Sequence, residues 1–470
     1  MVSHCDLLIR GGYLVDPGSN RLGRFDVSIE GGRVVQVGPE LSVDGAREVF
    51  EARGRLVLPG LVDTHVHLTP PERAVGHKML ARAGVTCCLD CGGTLEEYLE
   101  GMAREGAGIS AAVINRLDPG VTISGPDASR QELSDYLESS LDAGALGLKL
   151  LGGHLPLSPD ATTAAIEVAN RAGAYAAFHC GSTRNGSNLL GFQDALEFTG
   201  GNRIHICHVT AYCRGLTLGS PVEESMAALK ELSARPHIVS ESHMAPYNGT
   251  GASLENGVPR SHVTRTCLKM GGYDPTCEGL LAAVREGHTL VQKNTASDVV
   301  YLEPEDGVRY LEEKNFETTV SFSVNRRSTA FLLATEKNEK GGFIVTALST
   351  DGGGIPRNFL LSHGLSLVRF EALTLLEMAH KCCLAPARML GLKNKGHLGV
   401  GADADLVVAD FRSHEAVLTV AAGRIIMVNG LVVGRGGTVV TTERGKKALA
   451  RRGISATVVD LSRSLFYTAA

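Results

Sequence analysis

Between residues 60 and 351, short apolar runs alternate with stretches of helical periodicity, and this alternation restricts the fold more than any other feature of the chain. Runs of strand character lie at 60–67, 85–91, 109–115, 145–151, 174–179, 203–209, 236–241 and 343–351. Strands separated by helices pair in parallel, because each crossover helix carries the chain back to where it started. Eight such units close a (β/α)8 barrel, so the predicted fold class is α/β with a TIM-type barrel. The seventh run is the least regular. Residues 242–342 contain a further strand-like run at 318–324. Either that run is the seventh strand, or the stretch is an inserted loop of the kind that often binds ligands.

The two ends of the chain read differently. Residues 6–10 and 25–29 are strand-like and are followed by Gly11-Gly12 and Gly31-Gly32, which predicts hairpins. The same texture returns at 404–408 and 425–433. Two β-rich ends around a different middle are expected to form one small sheet domain, although two separate domains would leave the same pattern. The expected division is 1–58 and 394–440 for the two parts of the sheet domain, 59–393 for the barrel, and 441–470 for an unassigned tail.

Composition narrows the class. The chain has 56 glycines against 17 prolines and no low-complexity run, which indicates many tight turns instead of disorder. A net charge of −5 supplies no basic field for nucleic acid or anionic lipid, so neither is an expected partner. The start, MVSHCDLLIRGG, lacks the cationic and apolar regions of a signal peptide, and no apolar stretch reaches the ~18 residues of a membrane span. Eleven cysteines without regular spacing argue against a disulfide scaffold, so a cytoplasmic protein with reduced thiols is expected.

His65 and His67, two apart on a predicted strand, share one face with Asp63, while Thr64, Val66 and Leu68 take the other. His179, His208 and Asp351 stand at or near the ends of other predicted strands. Chemistry in a (β/α)8 barrel sits at the C-terminal ends of its strands, so these groups converge there. Four imidazoles and a carboxylate suit zinc and similar divalent ions. His205 competes with His208, but strict alternation turns the two to opposite faces. Lys149 lies inward on the fourth strand among apolar residues, where an unpaired lysine is rare. It is either paired with a carboxylate such as Asp63 or Asp90, or its amine, with a pKa lowered by burial, reacts with carbon dioxide to form a carbamate.

These residues fall within motifs that resemble a known family. Residues 57–67, VLPGLVDTHVH, look like the PGxxDxHxH signature of the amidohydrolase superfamily, residues 84–90 like its second strand, and residues 396–407 like its return to the small sheet domain. The resemblance extends to about residue 435 and implies a β-sandwich built from both termini beside the barrel. A lysine on the fourth strand is similar to the hydantoinase, dihydroorotase and isoaspartyl dipeptidase branch, while residues 349–356 look more like isoaspartyl dipeptidases and D-aminoacylases. The resemblance implies two divalent ions, zinc being the expected metal. His65, His67 and Asp351 would hold one and His179 and His208 the other, with N6-carboxylated Lys149 bridging them. D-aminoacylases lack that lysine and use a cysteine ligand, for which Cys91 is a possible counterpart.

The implied activity is hydrolysis of a non-peptide C–N bond in a small-molecule amide: an N-acyl or β-linked amino acid, or a cyclic amide. A metal-bound hydroxide would attack the amide carbon, with Asp351 as the proton shuttle to the leaving nitrogen. His154 stands where hydantoinases place a tyrosine that donates to the oxyanion. Arg184 and Arg357, each on a loop after a ligand strand, are candidates to bind a substrate carboxylate, ahead of His243 and His363 for any role. A homo-oligomer is expected. The competing readings are a one-metal deaminase of the same superfamily, against which Lys149 argues, and a non-enzymatic homologue, which would be expected to have lost ligands.

Overall fold

The computed structural model describes residues 5–469. Eight strands follow one another around a barrel: β1 (Leu61–His67), β2 (Val85–Asp90), β3 (Ala107–Arg116), β4 (Gly147–Leu151), β5 (Tyr175–His179), β6 (His205–Ile206), β7 (Val239–His243) and β8 (Ala347–Ser349, resumed at Gly352–Gly353). Every neighbouring pair is parallel. The last strand closes the ring from both sides. Ala347 to Ser349 pair with Glu241 to His243, and Gly352 and Gly353 pair with Val66 and His67.

The helices begin where local chemistry starts them. Thr94 and Glu97 form a reciprocal capping box ahead of Leu95–Glu105. Ser129, Ser158, Asn188 and Ser220 each offer a side-chain oxygen to the first turn of the helix that follows. Proline follows at the helix start after Ser158 and Ser220, where its missing N–H costs nothing.

The seventh place in the barrel belongs to Val239–His243. The competing run, Thr319–Phe322, lies in a separate antiparallel sheet with Asn248–Gly251, Thr289–Asn294 and Val299–Tyr301. This inserted segment buries its own apolar set, including Leu268, Leu280, Val291, Leu311 and Phe322, which is why its sequence carries strand character of its own.

Both ends of the chain contribute to one nine-stranded sheet. Its centre is the antiparallel pairing of Leu56–Pro59 with Leu406–Asp410, flanked by the N-terminal strands on one side and Glu415–Ala421 on the other. Gly31 and Gly32, at φ 56° and 77°, make the turn expected of them. Gly11-Gly12 does not turn the chain. The strand Cys5–Asp16 runs through it with a register shift between Ile9 and Gly12, and a Cβ at Gly12 would lie 2.3 Å from Val57 Cγ2. The pair therefore marks a bulge and a close approach, the other use of glycine inside a strand.

The tail has a place as well. Gly436–Thr441 pairs in parallel with β3 and with Ala456–Val458, so the barrel sheet extends beyond its eight strands. Phe466 is fully buried and stacks on Tyr175 of β5 at 4.3 Å, while Tyr467 donates to Ala174 O at 2.7 Å. The tail thus covers the N-terminal start of β5, the face opposite the ligand-bearing strand ends. Among the described residues no helix is long and apolar enough to cross a membrane. Removing a buried aromatic ring typically costs about 3–5 kcal/mol. Phe466→Ala should therefore lower the denaturation midpoint markedly; an unchanged midpoint would show that the tail does not brace the barrel.

Candidate metal centre and active-site cavity

Strand β1 presents Asp63, His65 and His67 inward, as its alternation requires. His67 Nε2 lies 2.7 Å from Asp351 Oδ1, and His65 Nε2 lies 3.5 Å from the same oxygen. Asp351 sits in the gap between the two halves of β8 with a left-handed backbone, φ 53°. Arg357 holds it there, donating Nε to the Asp351 carbonyl and Nη2 to its carboxylate. Burial works to raise the Asp351 pKa, but Arg357, His65 and His67 prevail and keep it well below the usual carboxylate range.

Glu241 on β7, which sequence reasoning missed, organises the other side of His65. It is fully buried, and its Oε1 meets His65 Nδ1 at 2.7 Å and accepts from the His208 amide at 2.6 Å. Its other oxygen accepts from the Ser349 hydroxyl. With both oxygens already accepting, the shared proton belongs on His65 Nδ1, and Nε2 is left with its lone pair toward the cavity. Burial pushes the Glu241 carboxyl up to about 8 against those donors. A cation at His65 Nε2 would favour its ionised form. The signal in the sequence was an acidic residue closing a run of strand character, His237-Ile238-Val239-Ser240-Glu241.

Lys149 is fully buried, but neither Asp63 nor Asp90 is its partner. Asp63 accepts from Thr350 and from the His65 amide, and Asp90 from the Leu68 amide and Thr69. The Lys149 amine instead lies 2.8 Å from Cys207 Sγ and 3.4 Å from His65 Nε2. Its pKa is raised, not lowered as expected. Burial does act downward, but Cys207, Cys91 and Glu241 act upward and prevail. Cys91, the alternative cysteine ligand, is buried in the barrel interior, and burial pushes its thiol well above the usual range against the pull of Lys149.

The chain leaves regular alternation just after β6. His205 and Cys207 both face inward: His205 Nε2 lies 4.0 Å from Glu241 Oε1, and Cys207 touches Lys149. Regular strand geometry would then turn His208 away. The strand ends at Ile206, however, and His208 has a left-handed backbone, φ 31°, that brings it inward as well. Its ring stacks on His65 at 5.0 Å and meets His179 edge-on at 4.3 Å. His179 sits against Gly153, where a Cβ would come within 1.8 Å of His179 Nε2, so only glycine fits there.

A cavity of about 340 Å³ opens over these groups. His67, His154, His179, Asp351 and Arg357 line it, and the inserted strand Asn248–Gly251 forms part of its wall. Burial, aided by His262, lowers the pKa of His154 to about 4, so its imidazole is neutral at ordinary pH. Arg184 is elsewhere. It pairs with Asp194 at 2.6 Å and Glu197 at 2.8 Å on the surface, with 40% of its side chain exposed, because acids on the following helix capture it. Arg357 is in the cavity, but its donors go to Asp351 and the Tyr247 carbonyl. His243 is buried 6.2 Å from His208, and His363 packs at a tilt against Phe359 outside the cavity lining.

The donor set suits divalent cations. Ligand atoms of His65, His67 and Asp351 lie within 4.8 Å of one another, and those of His65, Cys207 and Glu241 form a second such group. Buried His208 Nδ1 has no hydrogen-bond partner among the described residues, as a nitrogen awaiting a metal would not. Burial keeps His65, His179 and His208 well below the usual histidine range, and a neutral imidazole is the form that binds metal.

Residues 56–435 match the Amidohydrolase family. Over 450 residues the chain is 26% identical to a dihydroorotase of Pelotomaculum thermopropionicum, covering 86% of this chain and 88% of that one. Among solved structures, the fold is similar to that of an N-acyl-D-glutamate deacylase from Bordetella bronchiseptica, a complex with zinc and a phosphonate inhibitor. The TM-score is 0.63 at 16% identity, over 93% of this chain and 99% of that one. It is also similar to a dihydropyrimidinase from Brevibacillus agri, with TM-score 0.60 at 16% identity, over 92% of this chain and 97% of that one.

Loss of a carboxylate that orients a metal-binding imidazole typically weakens metal affinity about 10–100-fold. Glu241→Gln should show a loss of that order in competition with a chromogenic zinc chelator. Unchanged affinity in a folded variant would show that Glu241 does not set the His65 tautomer.

Proposed function

This chain belongs to the amidohydrolase family, and on that footing we propose that it hydrolyses a non-peptide C–N bond in a small-molecule amide, using two divalent ions held by His65, His67, Lys149, His179, His208 and Asp351. One observation carries this reading: side chains from five strands gather beneath one cavity, where the His65, His179 and His208 rings pack together beside the Asp351 carboxylate and a buried amine. Carboxylation of Lys149 draws on the neutral amine, a form that its neighbours disfavour and that a cation bound beside it would favour. Adding carbon dioxide to the amine releases a proton and replaces a potential cation beside His65 with an anion of two oxygens. The substrate classes that suit the cavity are an N-acyl or β-linked amino acid and a cyclic amide.

Bound ions would supply Lewis acidity toward the carbonyl and a lowered pKa for water. The protein supplies the rest. Arg357 anchors one oxygen of Asp351 and leaves Oδ1 at the cavity, beside His67. Asp351 Oδ1 takes a proton from attacking water and returns it to the leaving nitrogen, which departs poorly as an anion. His154, neutral near pH 7, donates an N–H toward the developing oxyanion. The same Arg357 donates to the Tyr247 carbonyl at 2.7 Å, tying the inserted wall to the catalytic turn.

Asp351→Asn nearly preserves shape, so the folded protein should retain most of its metal. Its kcat should fall by the ~10²–10⁴-fold typical of lost acid–base catalysis. The measurement is turnover per metal-loaded chain on a panel of cyclic and N-acyl amides. Near-normal turnover would leave Asp351 as no more than a structural carboxylate of the β8 turn.

A further inference from the structure

Three guanidinium groups line the cavity: Arg73, Arg116 and Arg357. Two of them are engaged. Arg357 is occupied by Asp351 and Tyr247. Arg116 donates to the Gly92 carbonyl at 2.5 Å and to Asp118 Oδ2 at 2.7 Å. Arg73 is different: among the described residues its guanidinium has neither an ion pair nor a hydrogen bond. The nearby acid Asp90 is already taken by the Leu68 amide and the Thr69 hydroxyl.

The backbone beneath Arg73 is nevertheless held firmly. Arg73 closes the turn Pro71–Arg73 that follows β1. A Cβ at Gly354 would lie 2.4 Å from the Arg73 carbonyl oxygen, so this turn packs directly on the loop after Asp351. From the other side, Asn294 of the inserted segment donates to the Glu72 carbonyl at 2.9 Å. The result is a fixed stem and a free head group, the pre-organised form of an anion-binding arginine. Burial and the neighbouring Arg357 both disfavour the charge on Arg73, a cost that an anionic ligand would offset.

We propose that Arg73 forms a carboxylate subsite, so that the substrate is an amide that itself carries a carboxylate. Asp351 and Asp118 answer Arg357 and Arg116, and among the groups lining the cavity the charge of Arg73 is left for the ligand. The planar fork of arginine matches the two oxygens of a carboxylate. The subsite adjoins His67, whose imidazole is influenced by both Arg73 and Arg357, so a carboxylate there lies beside the reacting amide. This inference rests on the hydrolase reading for its catalytic consequence but not for the binding itself.

The test uses two matched pairs: dihydroorotate against dihydrouracil, and N-acetylalanine against N-acetylalaninamide. In each pair only one member carries the carboxylate. For the ring or chain that the metal-loaded enzyme accepts, kcat/KM should favour the acid by about 30-fold or more, the equivalent of ~2 kcal/mol for a desolvated charge pair. Arg73→Met should collapse that ratio mainly through KM. Equal use of both members by the wild type, or an undiminished ratio in Arg73→Met, would overturn the subsite. Calorimetric titration of metal-loaded Asp351→Asn with the same four compounds reads binding apart from turnover. An acid binding more tightly than its neutral partner, with the difference lost when Arg73→Met is added, supports the subsite even if no amide is hydrolysed, in which case only the hydrolase reading fails. If neither acid binds more tightly than its neutral partner, the subsite does not exist.

Discussion

The seam where β8 closes against β1 is the constraint on which the rest of the site depends. It places Asp351 against His67 across a sequence separation of 284 residues. The strand must break to do so. Ser349 still pairs with His243, Gly352 already pairs with Val66, and between them Asp351 adopts a left-handed backbone that a non-glycine residue holds only at a cost of about 1–3 kcal/mol. Two sets of contacts hold that turn in place. Thr350 bonds to Asp63 of β1, and Arg357 grips both the carbonyl and the carboxylate of Asp351. Ring closure and site assembly are therefore one event, and a slip of this seam would lose both.

Around the seam, burial decides the ionisation. His65, His179 and His208 are each pushed toward the neutral imidazole, while Arg357 keeps Asp351 charged in spite of its burial. Neutral imidazoles packed against one another, with a buried His208 nitrogen unsatisfied, are a poor way to fill an apolar core and a good way to prepare for cations. Glu241 and Cys207 form the layer behind these groups. Glu241 sets the proton on His65, and Cys207 sits against the Lys149 amine.

Much of this was legible in the chain. The eight strand runs followed from the alternation of patterns, and His65, His67, His179 and Asp351 followed from their places at strand ends. Periodicity failed where the backbone leaves regular geometry. His208 turns inward only because its φ is 31°, and Gly11-Gly12 bulges where a turn was expected. It failed also where a partner is distant in sequence. Nothing near Arg184 marked Asp194 and Glu197 as a trap, and nothing near Arg73 marked it as the arginine left free. The tail was unreadable for a related reason: Phe466 acquires its meaning only when Tyr175 is above it.

The proposed hydrolysis would need Lys149 as a carbamate and two bound ions. The most direct measurement is to load the metal-stripped protein with zinc in ¹³C-bicarbonate and to read metal per chain by mass spectrometry alongside the ¹³C spectrum. Two ions per chain and a carbamate resonance are expected, with the resonance absent and the metal content reduced in Lys149→Ala. A single ion per chain, no carbamate signal, and the same metal content in Lys149→Ala would contradict it.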